Sequence, residues 1–112
     1  MFQHILLAWE HDNPPAASLD AARALADAYE AELTVCCFGG DAVEAQAAAG
    51  ADAFIEALSA EHAARKLAEY AHEHGFDLVV IGRKGRDHLL GRHLIDDVPC
   101  PVLVVNEEGG ST

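Results

Sequence analysis

The chain has 112 residues, 7 of them basic and 19 acidic, for a net charge of −12. Nucleic acid and anionic membranes reward positive charge, so the balance argues against both as partners and for an acidic, solvated surface. The length predicts one domain, residues 1–106, followed by a flexible tail over 107–112. Its core is small enough to gain from a partner chain.

Residues 3–9, QHILLAW, are predicted as the first strand, ended by Glu10 and His11. Asn13-Pro14 reads as a helix start: the asparagine oxygen can accept a free amide, and proline fits the first turn. A helix from Pro14 to Ala31 follows, with Leu19, Ala22, Leu25, Ala26 and Tyr29 on its apolar face. Residues 32–38, ELTVCCF, form the second strand, and Gly39-Gly40 makes the loop at its carboxyl end. Asp41 to Ala49 is a short alanine-rich helix capped by Asp41 and closed by Gly50.

Residues 51–58, ADAFIEAL, fit either period, and the stop at Gly50 with a fresh cap at Ser59 assigns them to an edge strand. Ser59 is expected to cap a helix over 60–74, with Ala63, Leu67, Tyr70, Ala71 and His74 inward and Gly75 just past its end. A strand over 77–81, a glycine-rich loop, a short helix near 93–97 and a strand over 101–105 complete the chain. Short, valine-rich runs separated by helices describe a parallel sheet covered on both faces, with right-handed crossovers.

Cys36, Cys37 and Cys100 show no CxxC spacing. Adjacent cysteines on a strand point to opposite faces, so they read as small buried residues of a reducing cytosol. The opening MFQHILLAWEHD lacks the basic start of a secretory leader, and no apolar run reaches a membrane span. The compartment expected from these features is the cytoplasm.

The functional signal lies where FDLVVI runs directly into GRKGRDHLLGR. The carboxyl edge of a parallel sheet is where such folds hold ligands. Arg83, Lys84, Arg86 and Arg92 are four of the seven basic residues, gathered within ten positions of an acidic chain. With Gly82, Gly85 and Gly91 they read as a nest of amides and cations for phosphate, with His88 or His93 in reach of it. The competing reading is that the glycines only permit a turn.

The loop is neither a Walker A sequence, lacking GKS or GKT, nor a Rossmann fingerprint, which would follow the first strand. Glu10 closes the first strand at the same edge and can accept from a ribose hydroxyl or a base amine. Trp9 beside it reads as core rather than as a stacking platform. The histidines show no zinc spacing, and no metal is predicted. No nucleophile–base–acid order appears, which leaves ordinary catalysis little support.

ILLAWE, AELTVCC, EYAHEHGFDLVVIGRKGR and VPCPVLVV together resemble the universal stress protein (UspA-like) family over nearly the whole chain. The resemblance implies a single three-layer α/β/α domain, adenine nucleotide alpha hydrolase-like. Its five-stranded parallel sheet has order 3-2-1-4-5. The resemblance also implies a homodimer through the last strand, 101–105. Many members bind ATP or AMP, with Mg accompanying ATP, through an aspartate after the first strand and a G-x2-G-x9-G-[S/T] loop.

Carried over, Glu10 stands in the aspartate's place and Phe38 near the adenine side. Ile81, Gly82 and Gly85 match the start of the phosphate loop. Ile95 occupies the third glycine's position. If Gly91 is that glycine in a shortened loop, Arg92 replaces the small hydroxyl residue. Two functions follow: an ATP- or AMP-binding stress-response or signalling protein, or a dimeric stress protein that binds no nucleotide and acts as a protein-interaction scaffold.

Overall fold

A computed structural model describes residues 2–10, 16–39, 42–59, 61–83, 98 and 100–106. Five strands are described: β1 (His4–Glu10), β2 (Glu32–Phe38), β3 (Phe54–Leu58), β4 (Leu78–Arg83) and β5 (Val102–Asn106). Three helices, α1 (Ala17–Tyr29), α2 (Ala42–Ala49) and α3 (Ala63–His74), connect them. All pairings are parallel, and the sheet order is β3-β2-β1-β4-β5. The predicted class and strand order hold, with β3 and β5 as the two edges. The expected helix near 93–97 and the tail lie outside the described residues.

Strand alternation divides the core into two layers. Ile5, Leu7, Trp9, Leu33, Val35, Cys37, Leu78 and Val80 face one side, where Ala22 and Ala26 of α1 and Ala45 and Ala49 of α2 pack. Leu6, Ala8, Cys36, Phe38, Val79 and Ile81 face the other, under Leu67, Ala68 and Ala71 of α3. Alanine at the helix contacts lets backbones approach the sheet closely, which is how a chain with seven aromatic residues closes two layers. Cys36 and Cys37 are buried on opposite faces and Cys100 is half-buried; all three are free thiols.

Several boundaries differ from the sequence reading. Helix α1 starts at Ala17, not Pro14, with Ala16 as an N-cap that makes no side-chain capping bond. Asn13 and Pro14 lie outside the described residues. The helix ends two residues early, at Tyr29 rather than Ala31, because Glu30 turns left-handed (φ 54°) and donates its N–H to the Ala26 carbonyl. Tyr29, expected inward, is exposed, and its ring meets Phe2 edge-on at 5.3 Å.

Strand β3 starts at Phe54 rather than Ala51, because residues 51–53 form a turn. The Gln46 amide clamps this turn by donating to the Gly50 carbonyl at 2.7 Å and the Ala53 carbonyl at 2.8 Å. Arg23 reaches across from α1 to the Ala49 carbonyl (3.2 Å) and to Asp52 (3.1 Å).

Ser59 does not cap α3. It follows β3 instead, and its hydroxyl and carbonyl both accept from Lys66 Nζ. The helix begins a turn later at Ala63, after His62 in a left-handed conformation (φ 56°) without a side-chain capping bond. Leu67 and Ala71 face inward as predicted, but His74 is exposed, covering Tyr70 with a ring separation of 4.2 Å.

The last correction bears on function. Gly82 and Arg83, read as loop, are strand residues: β5 extends the ladder through Gly82↔Val105 and Arg83↔Asn106. At the carboxyl end of β1, Glu10 is likewise within the strand, paired with Phe38.

Candidate functional site

Three ladders meet at the carboxyl edge, and they do not end together. The β1–β2 ladder runs on to Glu10↔Phe38, and the β4–β5 ladder to Arg83↔Asn106. Between them, β1 pairs with β4 only over Ile5↔Leu78 to Leu7↔Val80. Beyond Leu7 and Val80 the two central strands part, each held by its outer neighbour. Ala8–Glu10 form one lip and Ile81–Arg83 the other. Three residues of strand on each side run past the last β1–β4 pair and flank the crevice position at the carboxyl ends of the strands. This is also where the strand order reverses, the topological switch point at which open α/β sheets hold ligands.

The lips carry residues singled out from the sequence. Glu10 ends one and Gly82-Arg83 the other, so the structure brings both lips to one crevice. Ile81 is fully buried on the α3 side and fixes the second lip from below. Trp9 is 6 % exposed and packs in the α1–α2 layer, as a core residue. Phe38 is 2 % exposed with its ring in the α3 layer, so only its backbone is at the edge. Gly39 follows with φ 72° and donates its N–H to the Leu58 carbonyl at 2.9 Å, which starts the predicted turn at the strand end. Lys84, Gly85, Arg86, Gly91, Arg92 and His93 lie outside the described residues.

Sequence reasoning missed two features at this edge. One is the crevice itself, which depends on where a ladder stops. The other is Lys66, a cation held by Ser59 at the end of β3. Its spacing of seven from Ser59 gave a signal that the capping assignment obscured.

The ionisable groups elsewhere serve the frame. Burial, then the carboxylate of Glu56, pushes the Cys36 thiol up to about 12. Backbone N–H donors of Gln3 (2.7 Å) and His4 (3.1 Å) hold the Asp77 carboxyl below its ordinary range at the opposite edge of the sheet. Among the described residues, no group of three or more His, Cys, Asp or Glu side chains is placed to hold a metal ion.

Residues 39–106 match the universal stress protein family. More than half of the chain is matched, and the chain belongs to that family. Its fold is similar to that of solved members. A universal stress protein in complex with cAMP superposes with a TM-score of 0.72 at 20% identity, over 95% of this chain and 98% of its own. Universal stress protein UspA from Lactobacillus plantarum gives 0.68 at 18% identity, over 93% and 97%. A universal stress protein from Archaeoglobus fulgidus gives 0.70 at 18% identity, over 94% of each chain. No curated protein gives a significant match. No helix among the described residues is long and apolar enough to cross a membrane.

Proposed function

We propose that this universal stress protein is a stress-response or signalling protein that binds an adenine nucleotide, ATP or AMP, across the carboxyl ends of β1 and β4. The end of the β1–β4 ladder at Leu7↔Val80, with Ala8–Glu10 and Ile81–Arg83 running on beside it, is the observation that carries this reading. Family membership supports it, as does the similar protein solved with cAMP. In this reading the phosphates meet the amides after Gly82 and around Gly85 and Gly91. Arg83, Lys84, Arg86, Arg92 and His93 supply charge. Glu10 faces the sugar or base, and Phe38 takes part through its backbone, since its ring is in the core. Magnesium accompanies ATP, and hydrolysis is at most slow. The protein acts in the cytoplasm as a homodimer through β5.

A second reading, a dimeric interaction scaffold without nucleotide, is favoured by Ile95 at the third-glycine position and Arg92 at the hydroxyl position. Calorimetry with ATP, ADP, AMP and cAMP separates the two. Saturable heat is expected with at least one of them. Charged hydrogen bonds contribute roughly 1.5–3 kcal/mol each, so single replacements of the loop cations should weaken phosphate binding by about that much. Glu10→Ala should alter base or sugar preference more than phosphate affinity. No heat at millimolar ligand, with the protein folded, leaves the scaffold reading standing.

A further inference from the structure

The two sheet edges differ in a way that nucleotide binding does not use. Strand β5 presents VLVVN, with no charge. Strand β3 presents FIEAL, paired with β2 on one side and, among the described residues, with no strand on the other. Phe54 is 56 % exposed, a large ring standing free on an open edge. Such an edge is a template for another extended chain unless something prevents pairing.

Glu56 sits at its centre. If a second copy of β3 were laid antiparallel about Glu56, Phe54 would oppose Leu58 twice and Ile55 would oppose Ala57 twice. Every flanking pair would be apolar, and only the central pair, Glu56 against Glu56, would clash. Directly opposed residues bring their Cβ atoms within about 4.5–5.5 Å, where like charges are destabilising. Glu56 makes no ion pair among the described residues, and the ionisable groups it acts on, Cys36 and Tyr70, carry no positive charge. Among the described residues the carboxylate is therefore uncompensated, in the middle of an otherwise self-complementary strand.

We propose that the β3 edge is an interaction surface for an extended segment with a central cation flanked by apolar residues, added antiparallel to Phe54–Leu58. Glu56 selects that partner and excludes a second copy of this chain. Backbone hydrogen bonds along the edge supply affinity, Phe54 and Leu58 contact the flanking apolar side chains, and Glu56 reads the charge.

The Glu56→Lys chain carries the complementary segment in its own β3, which makes it a probe. Sedimentation equilibrium should give equal masses for wild type alone and Glu56→Lys alone. An equimolar mixture should form a heavier complex, with association about tenfold above either alone and falling as salt rises. The amide signals of residues 54–58 in labelled wild type should shift on adding the unlabelled variant. Glu56→Gln, which removes the charge at nearly constant size, should self-associate more than wild type. Should Glu56→Lys fail to fold, synthetic peptides Phe-Ile-Lys-Ala-Leu and Phe-Ile-Glu-Ala-Leu give the same comparison on wild type, with only the first expected to shift β3. The proposal is overturned by a mixture that sediments as the sum of its parts, by shifts confined to β5, by equal effects of the two peptides, or by unchanged self-association of Glu56→Gln.

Discussion

Single residues here are set by burial and by backbone conformation more than by charge. Cys36 is fully buried, and its thiol is pushed up to about 12 by burial and the neighbouring Glu56. Only the thiolate reacts, so Cys36 is expected to stay unmodified by thiol reagents at pH 8 until the chain unfolds. Mass spectrometry after brief labelling, with and without denaturant, checks this. Rapid native labelling of Cys36 would contradict it. Glu30 tests the backbone: it is exposed and left-handed (φ 54°) where a glycine would be unstrained. Glu30→Gly should raise stability by about 0.5–1 kcal/mol, seen as a higher urea midpoint at constant slope. At Gly75 (φ 67°) no atom lies within 4 Å of an added Cβ, so Gly75→Ala should cost only the conformational strain, about 1 kcal/mol.

At the scale of elements, the frame depends on a few ties between strand ends. Asp77 leads into β4 and accepts the Gln3 and His4 backbone N–H groups next to β1. These two donors, Gln3 first, lower its carboxyl in the folded chain. A lowered carboxyl contributes stability that is present above its unfolded value of about 3.9 and is lost as pH falls through the folded value. Asp77→Asn should therefore be less stable than wild type at pH 7, and the two should converge as pH falls below about 4. One bond is solvent-exposed and the other only part-buried, so the difference at neutral pH should be about 0.5–1 kcal/mol. Chemical denaturation at a series of pH values measures it. A gap that persists unchanged to pH 3 would show that ionisation of Asp77 plays no part.

For the whole molecule, the decisive question is which edge assembles. Leu103 and Val104 of β5 are each 37 % exposed, on an uncharged edge strand. Pairing β5 with the β5 of a second copy would cover them and close that edge, and a domain of this size gains from the added core. Wild type is expected to have twice the 11.9 kDa chain mass in solution. Its unfolding temperature should rise with protein concentration, because assembly stabilises by mass action. Val104→Lys should give a single-chain mass and a concentration-independent midpoint. Light scattering and calorimetry over a hundredfold concentration range test both, and a wild type of single-chain mass at micromolar concentration would remove the β5 dimer.

The amino-acid sequence by itself determined the number of the described strands and their places along the chain, the placement of β3 as a strand rather than a helix, and the opposed burial of Cys36 and Cys37. Each follows from local pattern: valine-rich runs, helical spacing and strand alternation. It also drew attention to the span from Ile81 to Arg92, because clustered cations in an acidic chain are visible without a structure. Tertiary structure decided the rest. Gly82 is a strand residue because β5 pairs with it, and no property of residues 80–85 alone records that pairing. Ser59 does not cap α3 and instead accepts from Lys66, and Tyr29 and His74 are exposed, their rings set against Phe2 and Tyr70 rather than in the core. The crevice exists because one ladder stops at Leu7↔Val80 while its neighbours continue. Register is a relation between segments some 70 residues apart, and no local run of the chain carries it.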